Sequence, residues 1–280
     1  MKRFYPLILL AGLLVSCRSL VLEERRNCPS FLFFDIANHG RLDSYHRVRI
    51  ADFTYPGTDF LVADTTVVGC IQDRSFYMKV PKSDAVQGFG IAGFDGARIR
   101  HGSEVVVDEG KDFVPLFHFQ FRTPARDEQV LIPVELSKDY CAITLQFART
   151  DSFSGPEGVF PFYLLLKGNT VGLDGLSGNP VRGDFQYMPP EEQEGIFHVR
   201  VPRQADRSLR LEIWAREGQY VEEGLVGSYN LWNFIQESSE GFSWEAKDLP
   251  DLYILIDFTE NKLAVTVRPW IPDGGIHYDA

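Results

Sequence analysis

From Cys28 onward, apolar and polar residues mostly alternate with a period of two. Phe117, Phe119 and Phe121 alternate with His118, Gln120 and Arg122, and Cys141, Ile143, Leu145 and Phe147 alternate with Ala142, Thr144 and Gln146. Leu209, Leu211 and Ile213 do the same against Arg210, Glu212 and Trp214. Such alternation buries one strand face and wets the other, as antiparallel sheets do. Ile254, Ile256 and Phe258, then Leu263, Val265 and Val267, flank Thr259-Glu260-Asn261-Lys262 and predict a terminal hairpin. Phe160 to Leu166 is more continuously apolar and predicts a central strand covered on both faces. Helical signal is confined to Leu231 to Gln236, after Ser228, enough for one or two turns. The pattern predicts a mainly β chain whose sheets pack as sandwiches.

The turn-forming cluster Asp151 to Gly158 divides the body into residues 28–150 and 151–280, each of ordinary domain size, the second ending in the hairpin and a tail. Gly168 to Gly183 reads as a loop-rich insertion within the second half. No exact sequence repeat is visible.

The first residues read as an address. Lys2 and Arg3 precede the apolar run Leu7 to Val15, which is too short to span a bilayer as a helix and fits the core of a signal peptide. Leu14-Val15-Ser16-Cys17 then resembles a bacterial lipobox, with residues 1–16 removed and Cys17 acylated. Several acyl chains hold a protein stably where one holds it marginally, so the predicted mature protein sits on a membrane. Residues 17–27, with Glu23, Glu24, Arg25 and Arg26, read as a solvated tether.

Composition narrows the function. The formal net charge of the whole chain is -11, which gives no general attraction for nucleic-acid phosphates. Cys28, Cys70 and Cys141 remain after Cys17, so at most one pair forms, and their spacing matches no zinc or redox pattern. Cys141 lies in an alternating strand and reads as a buried free thiol. Gly88-Phe89-Gly90-Ile91-Ala92-Gly93 spells a dinucleotide fingerprint, but turn residues Phe94-Asp95-Gly96 follow where a helix is required, so the cofactor reading fails. Gly175-Leu176-Ser177-Gly178-Asn179 lacks the last glycine of a nucleophile elbow. The six histidines show no metal-binding spacing, and Arg182-Gly183-Asp184 reads as a solvated loop. No catalytic residue, metal or cofactor is expected.

Lipobox Cys17, a charged tether and Cys28-Pro29 at the first strand, with Gly93-Phe94-Asp95-Gly96 and Phe242-Ser243-Trp244, form one part of a recognisable layout. The other is Asp248-Leu249-Pro250-Asp251 leading into the hairpin and Trp270. Together they resemble the fimbrial anchor-subunit family of Bacteroidales type V pili, of the minor-fimbrium anchoring type. The resemblance implies two transthyretin-like, Greek-key β-sandwiches in tandem and a non-enzymatic outer-membrane lipoprotein, surface-exposed and held by acylated Cys17. Such a subunit fastens a fimbrium and regulates its length, and joins shaft subunits by strand addition. The corresponding candidate subunit-contact residues are Ile254, Ile256, Phe258, Leu263, Val265, Val267 and Trp270, with the tail Ile271 to Ala280. The alternative is a surface glycan-binding lipoprotein of a polysaccharide-utilisation system, with Trp214 as its first candidate aromatic.

Overall fold

The computed structural model describes residues 29–37, 48–54, 65–67, 75–93, 96–101, 103–148, 160–216, 224–238, 241–257 and 262–268. The first half contains β1 (Ser30–Ile36), β2 (Val48–Thr54), β3 (Thr65–Val67), β4 (Ser75–Val80), β5 (Ser83–Ala92), β6 (Arg98–Arg100), β7 (Glu104–Val106), β8 (Phe117–Ala125), β9 (Gln129–Val134) and β10 (Ser137–Lys138). The second contains β11 (Tyr140–Phe147), β12 (Phe162–Asp174), β13 (Pro180–Tyr187), β14 (Glu191–Gln193), β15 (Ile196–Pro202), β16 (Arg210–Ala215), β17 (Gly224–Asn230), helix α1 (Leu231–Ser238), β18 (Asp251–Asp257) and β19 (Lys262–Arg268). The chain is mainly β, as the alternation predicts.

The strands build two sandwiches in tandem. In the first, sheet β4-β1-β9 faces sheet β10-β8-β5-β2-β3. Their shared core holds Leu32, Phe34 and Ile36 from β1, Phe89 and Ile91 from β5, Phe117 from β8 and Ile132 from β9. In the second, sheet β14-β15-β11-β18-β19 faces the sheet of β17, β16, β12 and β13. Ile143, Leu145, Leu166, Leu211, Ile213 and Ile254 fill that core. The predicted short helix is present and drives Leu231 and Ile235 into the second core. Its cap is Asn230, whose Oδ1 accepts the Asn233 N–H at 2.8 Å.

The two sandwiches share one frame although no repeat is visible in the sequence. Sheet β4-β1-β9 matches β15-β11-β18, and β8-β5-β2-β3 matches β17-β16-β12-β13. In both, the first strand is central, antiparallel to one neighbour and parallel to the other. Even a single hydrogen bond recurs: Ala37 N–H donates to Val134 O, and Ala148 N–H to Ile256 O, each at 2.9 Å. The duplication survives because a sandwich constrains the polarity of each position more than its identity.

Two expectations, on Gly168 to Gly183 and on Arg182-Gly183-Asp184, are corrected. Sheet membership changes at Lys138–Tyr140, because β11 is the central strand of the second sandwich, so the change falls before Asp151–Gly158. That turn cluster lies outside the described residues. Gly168 to Gly183 is no insertion: β12 runs through it to Asp174, turns, and returns as β13. Arg182-Gly183-Asp184 therefore sits within a strand, where Gly183 packs beside Val171 and Arg182 pairs with Asp206. The glycine pattern of residues 88–93 is strand β5 and its exit, in agreement with its rejection as a cofactor loop.

The halves are laced together. Strand β7, from the first half of the chain, pairs with β12 of the second sandwich and sends Val105 into one core and Val106 into the other. At Gly172 the Val105 carbonyl approaches too closely for any Cβ, and at Gly175 the buried Phe89 ring fills the space a side chain needs.

Candidate partner edge and inter-sandwich clasp

The terminal hairpin forms as predicted, with β18 and β19 antiparallel from Asp251↔Arg268 to Asp257↔Lys262. Ile254 and Ile256 are fully taken up by the second core. Leu263, Val265 and Val267 are the register partners of Ile256, Ile254 and Leu252. Phe258, Trp270 and the tail lie outside the described residues, as do Cys17, Cys28 and Cys70. Among the described groups, the hairpin has backbone to offer a partner. The Ala148-to-Ile256 bond turns the even-numbered groups of β18 towards β11 and the odd-numbered ones towards β19. It follows that Ala264 and Thr266 bond β18, and that Leu263, Val265 and Val267 turn their N–H and C=O groups to the outer edge. Among the described residues β19 has no second strand neighbour.

A polar node lies at the point where the chain passes between sandwiches. Lys138 is fully buried, and its Nζ donates to Leu249 O at 2.9 Å and to Asp251 Oδ1 at 2.5 Å, above the Tyr140 ring. Its backbone N–H donates to Asp248 Oδ1 at 2.9 Å, and Asp251 Oδ1 also accepts the Ala142 N–H. Next to it, buried Asp139 pairs with His118 Nδ1 and with Arg203 Nε. Arg203 spends its remaining donors on the carbonyls of Trp244, Ala246, Lys138 and Lys247. A guanidinium carries five N–H groups in a fixed fork, and here every nitrogen is satisfied. Asp248-Leu249-Pro250-Asp251, quoted above only for its resemblance, thus clamps the connector of the two sandwiches. Sequence reasoning missed Lys138, Asp139 and Arg203; the signal available was a Lys-Asp pair, with partners from 21 to 113 residues away in sequence.

A second tie crosses nearby. Asp112, in the segment between β7 and β8, accepts the Arg200 N–H and Nε–H, both at 2.7 Å. Burial pushes its carboxyl above the usual carboxylate range, and the Arg200 contacts offset this only in part.

The remaining candidates carry no chemistry. Cys141 is a free buried thiol, and burial raises its pKa far above the ordinary range, so it stays protonated and unreactive. Ser177 hydrogen-bonds Asp174 at 2.6 Å within the β12–β13 turn. Among the described residues no group of three His, Cys, Asp or Glu side chains is placed to hold a metal ion. Also among them, no helix is long and apolar enough to cross a membrane. Trp214 is half-buried on the outward face of β16, its ring parallel to Tyr163 at 6.2 Å and its Nε1 donating to Glu212.

No protein-family model and no curated protein sequence matches the chain. Solved structures do. A candidate polysaccharide-binding protein of Bacteroides thetaiotaomicron superposes with a TM-score of 0.63 at 13% identity, over 87% of this chain and 96% of that one. A candidate adhesin of the same species gives 0.60 at 12%, over 87% and 97%. The fimbrial anchor protein Mfa2 of Porphyromonas gingivalis gives 0.59 at 9%, over 87% and 98%. The three are described, in turn, as polysaccharide-binding, adhesive and fimbrial. The chain has the tandem-sandwich fold that a Porphyromonas fimbrial anchor shares with Bacteroides candidate adhesins.

Proposed function

We propose that this chain is a cell-surface fimbrial protein that moors a fimbrium to the outer membrane through acyl chains on Cys17 and regulates how far the shaft extends. The observation that carries the reading is the fold shared with a fimbrial anchor over almost the full length of both proteins, on a chain that begins with a lipobox. The internal geometry suits a mooring. β1 is the first described strand after Cys17 and lies between β4 and β9, so a pull on its N-terminus loads two ladders along their length. Bonds loaded in this way must yield together, and the force passes through the clasp and the β7–β12 ladder into the second sandwich. Among the described residues the outer edge of β19 has no strand neighbour, and it would receive a shaft strand whose backbone completes the ladder.

Cys17→Ala tests the reading. The variant, with any fimbriae it bears, leaves the membrane fraction for the medium or the periplasm. Retention of both with the cells contradicts the mooring.

A second reading, glycan binding, is favoured by the Trp214–Tyr163 ring pair, with Arg216 above Tyr163 at 5.7 Å. In affinity electrophoresis it requires retardation by a polysaccharide that Trp214→Ala abolishes.

A further inference from the structure

The duplicated frame provides an internal control for one surface. In each sandwich the three-stranded unit β4-β1-β9 or β15-β11-β18 turns one face to its core and the other outward. In the second sandwich the central outward row is His198, Thr144 and Tyr253. That row is polar and satisfied: Thr144 and His198 hydrogen-bond at 3.1 Å, Tyr253 donates to Gln146, and His198 lies 3.6 Å from Glu192. The same three positions in the first sandwich are Tyr77, Phe33 and Leu131. Tyr77 is 61% exposed and Leu131 69% exposed, and both belong to the few large apolar side chains left in solvent among the described residues. Phe31 and Phe33 stand beside them, their rings 6.0 and 5.7 Å from that of Tyr77. Exposed Pro133 extends the patch, and Lys79, Asp35 and Gln129 rim it. One frame thus carries a face made for water and a face that is not.

Where the chain enters this sandwich indicates what covers the apolar face. Ser30 follows Cys17 by thirteen residues, which span at most about 45 Å when fully extended. Phe31 and Phe33, in the first described strand, are therefore within that reach of the candidate lipid. Phenyl and phenol rings with a lysine at the rim are the composition that settles into the headgroup boundary of a bilayer. One lysine and one aspartate leave the rim with no preference for anionic lipid. We infer that the outward face of β4-β1-β9 rests on the membrane surface, so that the first sandwich lies against the bilayer instead of swinging from its tether. The choice of a bilayer as occupant rests on the lipid-anchor reading. The contact itself does not involve Cys17 and is tested without it.

The mature chain, residues 17–280, carrying Cys17→Ala is mixed with vesicles of phosphatidylethanolamine and phosphatidylglycerol and floated on a density gradient. The unacylated protein floats with the vesicles, and equally well when phosphatidylglycerol is omitted. Combining Phe33→Thr and Tyr77→His, which installs the second sandwich's residues, with Leu131→Ser lowers the floating fraction at least tenfold. An unchanged melting temperature establishes that this variant is folded, and single Leu131→Ser, at a solvent-exposed site, provides a graded second test. Absence of flotation by the parent overturns the inference, as does flotation that the substitutions leave intact. Concentration-dependent dimerisation lost in the variant, without flotation, assigns the face to a second copy and equally overturns it. Failure of the Cys17→Ala release test, by contrast, would remove the anchor and leave the flotation result standing.

Discussion

The outer edges of the two three-stranded units differ as sharply as their faces. In the first sandwich, the Ala37-to-Val134 bond turns the even-numbered backbone groups of β9 towards β1 and leaves Gln129, Leu131 and Pro133 facing out. Proline has no N–H, so one ladder donor is missing from the side a new strand would approach. The equivalent position on β18 is Leu255, which faces Ala264 of β19. One sandwich closes its edge and exposes an apolar face; the other has a satisfied polar face and carries its sheet onward by an added strand. Identical frames can thus be assigned opposite ends of a mechanical chain by a few substitutions at register-equivalent positions. On the proposed reading, the first half is the membrane side and the second the partner side.

This division requires that force pass between the halves, so the clasp is where disruption should be largest. Lys138→Met removes the cation of a buried pair and leaves the Leu249 carbonyl without its donor, at a cost of about 3 kcal/mol. Calorimetry should then resolve two transitions in place of one, as the sandwiches uncouple. A single, unshifted transition would show that the node is not what joins them. The exposed Lys79→Met serves as the neutral control.

The partner edge is expected to respond next. Val265→Pro deletes an N–H that faces away from β18, so the hairpin ladder survives while an added strand loses a bond. Binding of the shaft subunit should weaken about tenfold, equivalent to about 1.4 kcal/mol, with the melting temperature nearly unchanged. Equal binding by parent and variant would move the contact elsewhere.

The smallest effect sharpens the contrast most. Pro133→Thr restores the missing donor of β9 and should change stability by no more than about 0.5 kcal/mol. It should also introduce concentration-dependent association, visible by light scattering, because an unguarded edge invites pairing. A monodisperse variant would show that Pro133 is not the guard.

Much of this was legible in the sequence. Period-two runs located β8, β11, β16 and the β18–β19 hairpin, and Leu231 to Gln236 gave the one described helix. The sequence places the boundary at Asp151 to Gly158 because that stretch is rich in turn formers; the change of sheet at Lys138–Tyr140 is a strand pair with no turn chemistry and leaves no local signal. Gly168 to Gly183 suggested a loop because two of its glycines, Gly172 and Gly175, are there for close packing against Val105 and Phe89, a tertiary demand invisible to local pattern. Phe31-Leu32-Phe33-Phe34 is apolar at successive positions, a sign of a strand covered on both faces, but only the register shows which rings are left outside. The clasp was unreadable for a similar reason: Lys138 and Asp251 are 113 residues apart, and nothing local indicates that a lysine will be buried.

The split between a membrane side and a partner side can be tested in one measurement on living cells. A photoreactive side chain is placed at position 131, on the apolar face, or at position 265, on the outer strand, and the cross-linked products are identified by mass spectrometry. The account predicts lipid adducts from position 131 and shaft-subunit adducts from position 265. Shaft-subunit adducts from position 131, or lipid adducts from position 265, would contradict it.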